Sequence, residues 1–133
     1  MKVEFRDLAK LAEERYGDAF AAAGDGAFSL AVDDMRLDFF SLAGDPGFAL
    51  VRVKVLDLAD VQRPGDFAKN AIAGNFFWGA TRGATLYVGA DNALYACERR
   101  TIDELFDGDG LAQCVDDFGE TVADWQERSA LYA

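Results

Sequence analysis

The stretch that decides the fold runs from residue 27 to residue 56 and reads AFSLAVDDMRLDFFSLAGDPGFALVRVKVL. It holds three runs in which apolar residues alternate with other residues: Ala27–Val32, Met35–Leu42 and Phe48–Leu56. This period of two is typical of strands that are buried on one face. The pair Asp33-Asp34 and the run Gly44–Gly47 separate the strands, and both are turn-forming sequences. Short strands joined by such turns predict an antiparallel meander.

Helices are predicted on both sides of the meander. Val3–Ala22 carries apolar residues at helical spacing, and a second helix opens at Pro64-Gly65-Asp66 with Asp66 as its N-cap. Ala84–Gly89 and Ala93–Arg99 form a hairpin, and a last helix follows Thr101–Leu105. That last helix has an apolar stripe made of Leu111, Cys114, Val115, Phe118, Val122 and Trp125. The order αβββαββα predicts an α+β fold, in which helices accompany a twisted antiparallel sheet.

The composition fits one folded domain. The chain has 133 residues, and 51% of them are hydrophobic. A chain of this length forms a single core, so we expect one domain over residues 1–133. The net charge is −11, but disorder also requires low hydrophobicity, which this chain does not have.

The charge and the missing histidines exclude several functions. The sequence contains no histidine, so catalytic dyads and triads built on imidazole and imidazole metal ligands are excluded. A net charge of −11 repels phosphate backbones and anionic lipid surfaces, so neither nucleic acid nor a membrane is an expected partner. Nine of the acidic residues lie in residues 101–133, where Arg128 is the one basic residue, so the acidity is concentrated there.

The sequence predicts a cytoplasmic protein. The N-terminus carries charges where a signal peptide would have its apolar region, and no apolar run approaches the roughly 18–20 residues of a membrane span. Cys97 and Cys114 lie 17 positions apart, a spacing that favours two reduced, mostly buried thiols over a disulfide framework.

Motifs for a metal or a cofactor fail on their ligand sets. Asp107–Gly110 is similar to the start of a calcium loop, but Leu111 and Phe118 occupy positions where oxygen ligands belong. The glycines around Asn75 lack the Lys and Ser or Thr of a phosphate loop. We therefore expect no metal, no cofactor, no catalytic residue and no enzymatic activity. Two Asp residues from distant segments can still meet in a cleft, and the sequence leaves this open.

The positive signal is a surplus of apolar residues. The first helix, the mixed strand face of Phe40, Leu42, Phe48 and Leu50, and the run Phe76-Phe77-Trp78 offer more apolar surface than one core of this size requires. Large exposed apolar patches usually mark interaction sites. The surplus predicts a self-association face together with a groove for a partner segment.

The chain resembles a known family over nearly its whole length in element order, size and acidity. The resemblance rests on Ala71–Trp78, Gly83–Val88, Ala93–Arg100 and Ile102–Leu105, followed by a closing helix with Phe118 and Trp125. A helix that ends in a small residue and Asn, a strand led by Gly, a hairpin and a Leu-like residue before the last helix are typical of the class I type III secretion chaperones, the Tir chaperone family. The N-terminal helix and the strand Phe28-Ser29-Leu30 also fit.

The resemblance implies a homodimeric chaperone of the bacterial cytosol that needs no ATP site. It would hold the N-terminal segment of a secreted effector in an extended, export-competent state. We expect a two-fold dimer interface formed by Phe67, Ile72, Phe76, Trp78, Leu86 and Val88. We expect partner binding by the first helix and the early strands, through Phe5, Leu8, Leu11, Phe28, Leu30 and Phe40. Periodicity does not decide which of these residues are core and which form a pocket.

Two alternatives remain open from the residues. One is a small α+β module of the same fold, not linked to secretion, with aromatic residues lining a ligand pocket. The other is an enzyme without histidine that uses two Asp carboxylates.

Overall fold

The computed structural model describes residues 3–76 and 84–132, and it confirms the α+β class. The described residues form four helices: α1 Phe5–Tyr16, α2 Pro64–Ala73, α3 Ile102–Phe106 and α4 Gly110–Ser129. They also form six strands: β1 Phe20–Ala22, β2 Ala27–Val32, β3 Met35–Ser41, β4 Phe48–Asp57, β5 Thr85–Val88 and β6 Ala93–Thr101. The strands belong to one antiparallel sheet with the order β1-β2-β3-β4-β6-β5.

The described residues divide into two compact units. The first holds residues 3–52 and 99–116, and the second holds residues 53–76, 84–98 and 117–132. No helix in these described ranges is both long and apolar enough to cross a membrane. The single domain over residues 1–133 stays a prediction.

In the first unit, α1 ends earlier than the sequence predicts. The sequence predicts a helix to Ala22, but α1 stops at Tyr16 because Gly17 has a φ of +53°, which breaks the helical path. A short 3-10 turn follows, and the next three residues form β1 instead. The Phe20 ring then packs on the Phe28 ring at 5.4 Å, so a residue assigned to the helix face belongs to the sheet.

The hairpin of β2 and β3 agrees with its prediction. Val32 pairs with Met35 across the turn, and Asp33 and Asp34 have φ values of 51° and 62°. Positive φ at both central residues is the mark of the tight turn whose twist suits a hairpin. The turn fixes the register, so Phe28 pairs with Phe39 on the buried face and Ser29 pairs with Asp38 on the other face.

An aromatic cluster forms the core of the first unit. Phe28 lies at its centre, with its ring centroid 4.6 Å from that of Phe39 and 5.5 Å from that of Phe5 on α1. Further buried side chains of α1, β2 and β3 surround the rings: Leu8, Ala12, Leu30 and Leu37. The alternation of β2 and β3 thus supplies a continuous apolar surface on which α1 packs.

In the second unit, Phe67 of α2 is the central buried side chain. Its ring lies 6.2 Å from the Trp125 ring and 5.4 Å from the Tyr132 ring. The helix begins one turn before the predicted N-cap, since Arg63 is the N-cap and Pro64 the first helical residue. Asp66 lies in the first turn, where its negative charge still suits the positive end of the helix dipole.

The C-terminal region has two helices where one was predicted. Thr101 caps α3: its Oγ1 accepts from the Glu104 N–H at 3.2 Å, and its own N–H donates to Glu104 Oε1 at 3.0 Å. Gly108, with a φ of +53°, separates α3 from α4. The predicted apolar stripe of α4 is confirmed, because all six of its residues are buried.

Candidate partner-binding site

Strand β1 presents an unpaired backbone edge. It is the terminal strand of the sheet order. The Ala23 N–H donates to the Ala27 carbonyl at 2.9 Å, so Ala23 faces β2. Backbone groups alternate in direction along a strand, so Ala21 also faces β2 whereas Ala22 directs its N–H and carbonyl away from it. Ala22 is exposed, and within the described residues no strand pairs with that side of β1.

A groove runs along the outer side of α1. It has a volume of about 590 Å³, and its apolar lining comes from Val3, Leu11 and Phe106. Its rim carries charged side chains of both signs, namely Glu4, Arg6, Asp7, Lys10 and Glu14. An apolar floor with a charged rim suits an amphipathic chain segment.

The structure separates the residues expected to bind a partner into two groups. Four of them are buried inside the first unit: Phe5, Leu8, Phe28 and Leu30. Leu11 lines the groove along α1, and Phe40 is half-buried on the face of the sheet opposite the aromatic cluster. Their role in binding stays a prediction, and the geometry makes Leu11 and Phe40 the two that a partner can reach.

A buried carboxylate organises the half-exposed face of the first unit. Asp38 accepts hydrogen bonds from Ser29 Oγ at 2.8 Å, from Arg36 Nε at 2.9 Å and from Arg52 Nη2 at 2.9 Å. The Arg52 guanidinium lies 5.0 Å from the centre of the Phe40 ring. Burial raises the pKa of Asp38, but the hydrogen bonds from Arg52, Ser29 and Arg36 lower it by more, so the carboxyl titrates below 3.8.

A second arginine is held in the same way on this unit. Arg99 Nη1 donates to Asp45 Oδ2 at 3.0 Å, and its guanidinium lies 4.3 Å from the centre of the Phe48 ring. Phe48 and Arg52 are four residues apart on β4, so both belong to one face of that strand. The sequence gave no sign that these arginines stack on aromatic rings.

The residues expected at a dimer interface also differ in accessibility. Phe67 and Leu86 are buried within the second unit, whereas Ile72 and Val88 are each 41% exposed. Trp78 and the side chain of Phe76 lie outside the described residues. On α2, Ile72 borders a shallow depression of about 470 Å³ whose other lining residues are Gly65, Ala68, Lys69 and Ala73.

The Asn75 side chain binds the backbone of β5 as a paired strand would. Its Nδ2 donates to the Leu86 carbonyl at 3.0 Å, and its Oδ1 accepts from the Leu86 N–H at 2.8 Å. The outer backbone groups of Leu86 are therefore engaged within the chain. A partner segment cannot pair there unless it displaces Asn75, which leaves β1 as the accessible sheet edge among the described strands.

We expect Asn75→Ala to lower the free energy of unfolding by about 2 kcal/mol, because it leaves the N–H and carbonyl of Leu86 without their partner. Asn70→Ala on the exposed side of α2 is the matched control, with an expected change within about 0.5 kcal/mol. Urea unfolding followed by circular dichroism measures both. Equal effects at the two positions would contradict the role assigned to Asn75.

Within residues 3–76 and 84–132, no three His, Cys, Asp or Glu side chains are grouped so that they could hold a metal ion. Neither Cys97 nor Cys114 forms a disulfide. The first unit presents a backbone edge, an apolar groove and stacked arginines at its surface.

Comparison with known proteins identifies the fold. No protein-family model and no curated protein matches the sequence. Among solved structures, a chain of the ExsC–ExsE complex is similar over 96% of this chain and 88% of that one, with a TM-score of 0.58 and 18% identity. A chain of the HopA1–SchA chaperone–effector complex is similar over 94% and 88%, with a TM-score of 0.52 and 11% identity.

The third structure is that of the Yersinia pestis type III secretion chaperone SycH in complex with a stable fragment of YscM2. It is similar over 95% of this chain and 96% of the matched chain, with a TM-score of 0.51 and 10% identity. At these identities the likeness concerns the fold, and this chain has the secretion-chaperone fold.

Proposed function

We propose that this chain is a type III secretion chaperone that binds the N-terminal segment of a secreted effector in the bacterial cytoplasm. The observation that carries the proposal is the open edge of β1 together with the apolar groove along α1, both in the first unit. An extended segment adds to a sheet edge through backbone hydrogen bonds, while its side chains enter neighbouring pockets. The fold is shared with a protein named as a type III secretion chaperone, which supports the proposal.

The binding mode suits a partner that is not folded. A disordered segment loses conformational entropy when it binds, so it needs a large contact surface for useful affinity. The edge at Ala22, the groove at Leu11 and the half-exposed ring of Phe40 are all surfaces of the first unit. A segment that covers them stays extended, which is the state that export requires.

We also propose that the chain acts as a homodimer through the outer face of α2. Ile72 is 41% exposed beside Gly65 and Ala68, and small residues allow two helices to approach closely. A two-fold axis would place the same face of a second copy against it. Light scattering at micromolar concentration measures the mass of the wild type and of Ile72→Glu. We expect a dimer for the wild type and a monomer for Ile72→Glu, and a monomeric wild type would refute the proposal.

The experiment for the function is a calorimetric titration of the purified chain with N-terminal segments of secreted proteins encoded near its gene. Leu11→Glu should weaken binding by about 30-fold, because a Leu contributes roughly 2 kcal/mol when it is buried in an interface. The matched control is Leu131→Glu, since Leu131 is 74% exposed and does not line the groove. Unchanged binding by Leu11→Glu, or no binding by any of these segments, would contradict the proposal.

A further inference from the structure

Three arginines and two phenylalanines form one surface on the first unit, here called the arginine–phenylalanine face. It consists of Arg36, Phe40, Phe48, Arg52 and Arg99. The face is continuous on its strands, because Arg52 of β4 reaches both Asp38 and Phe40 of β3. Both rings are half-buried, so they are partly accessible to a partner.

The face concentrates basic side chains in an acidic protein. The guanidinium groups of Arg36 and Arg52 pair with Asp38, and that of Arg99 pairs with Asp45. The whole chain has 24 acidic residues against 13 basic ones. These three arginines and two aspartates sum to a charge of +1, whereas the chain as a whole carries −11.

Arg36 and Arg99 are held in place but keep donors for a further partner. The Arg36 and Arg99 side chains are 70% and 58% exposed. Among the described residues each engages its carboxylate through one nitrogen, whereas a guanidinium has five N–H donors. Stacking of Arg99 on Phe48 fixes the guanidinium plane, which lowers the entropy lost when a second carboxylate binds.

From these observations we propose that the arginine–phenylalanine face selects partner segments that carry carboxylate side chains among apolar ones. The inference rests on the proposed function and names the chemistry of the segment that is bound. Apolar side chains of the segment pack against Phe40 and Phe48, and its Asp or Glu side chains pair with Arg36 and Arg99. Charge complementarity of this kind selects a partner more than it adds affinity.

The test uses three fluorescein-labelled peptides whose polar positions are all Glu, all Gln or all Lys, interspersed with the same Leu and Phe residues. Fluorescence anisotropy measures their binding to the full chain. The net charge of −11 alone would rank the Lys peptide first. The proposal expects the Glu peptide to bind about tenfold more tightly than the Gln peptide, since each exposed ion pair contributes up to about 1 kcal/mol.

Variants connect this preference to the face. The double variant Arg36→Gln, Arg99→Gln should lose the preference for Glu, and Arg36→Gln alone should lose part of it. Arg128→Gln makes the same charge change on α4, where Arg128 pairs with Asp124, and should keep the preference. Circular dichroism checks that each variant is folded. Equal binding of the Glu and Gln peptides, or tightest binding of the Lys peptide, would overturn the proposal.

Two further results separate the possible occupants and the two proposals. If light scattering shows self-association that the double variant abolishes, the face holds a second copy, and the proposal is wrong. If effector segments bind the wild type and the double variant equally, the proposal fails while the chaperone function stands. If no effector segment binds but the Glu peptide is preferred, the chaperone function fails and the specificity of the face stands.

Discussion

Phe28→Ala is expected to lower the free energy of unfolding by about 4 kcal/mol, the largest effect that we anticipate for a single substitution. The Phe28 side chain is buried, and its ring contacts those of Phe5, Phe20 and Phe39 at centroid distances of 5.5, 5.4 and 4.6 Å. Truncation to Ala removes these contacts and leaves a cavity that α1 and the hairpin cannot fill without moving.

Phe40→Ala is the matched control, since Phe40 lies in the same hairpin but is half-buried on the opposite face. We expect its cost to stay below about 1.5 kcal/mol, because part of its ring already contacts water. Chemical unfolding with both variants measures the difference. Equal losses of stability would mean that the structure assigns the wrong face of β2 and β3 to the core.

Asp38→Ala is expected to cost about 3 kcal/mol, because it leaves two guanidinium groups and a hydroxyl without their shared acceptor in a partly buried site. Asp45→Ala removes the carboxylate partner of Arg99 at a more exposed site and should cost less than about 1 kcal/mol. Urea unfolding of the two variants at neutral pH measures both values. A larger cost for Asp45→Ala would contradict the organising role of Asp38.

The contribution of Asp38 depends on pH with a definite sign. The pKa of the carboxyl is lowered in the folded protein, so its stabilisation is fully present above the unfolded value of 3.8. It is lost as the pH falls below that value and through the folded pKa. The stability advantage of the wild type over Asp38→Asn should therefore shrink as the pH falls below 3.8 toward the folded pKa. An advantage that stays constant over this range would contradict the lowered pKa.

The sequence predicts the central strands well because two independent signals coincide there. The alternation in residues 27–56 marks which side chains are buried, and Asp33-Asp34 and Gly44–Gly47 mark where the chain turns. The observed β2 has its predicted bounds, and β3 and β4 end within one residue of theirs. Local backbone preference and burial point to the same structure in this region.

The errors lie where local preference is ambiguous. Residues 17–22 contain a single glycine, Gly17, and Ala19 and Phe20 continue the helical spacing of α1. The positive φ of Gly17 ends the helix, and the contact of Phe20 with Phe28 places Phe20–Ala22 in a strand. Both features depend on tertiary structure. The segment that leads into the last helix forms a short helix of its own, α3, which ends before Gly108.

The candidate site is only partly visible in the sequence. Leu8 and Leu11 are both apolar residues of α1, yet Leu8 is buried and Leu11 lines the groove. Three residues rotate an α-helix by about 300°, so Leu11 is offset from Leu8 by about 60° around the helix axis. The open edge of β1 could not be predicted, since the strand itself was assigned to a helix. The stacking of Arg52 and Arg99 on phenylalanine rings requires a strand register that periodicity does not provide.

The most direct test of the proposed binding mode is the exchange rate of the Ala22 amide hydrogen, measured by NMR with and without a saturating effector segment. Ala21 is the internal reference, because its N–H faces β2 and should be protected in both states. If the segment pairs with the edge of β1, the exchange of Ala22 slows by at least about tenfold on binding. An unchanged rate at Ala22 in the saturated complex would contradict the account.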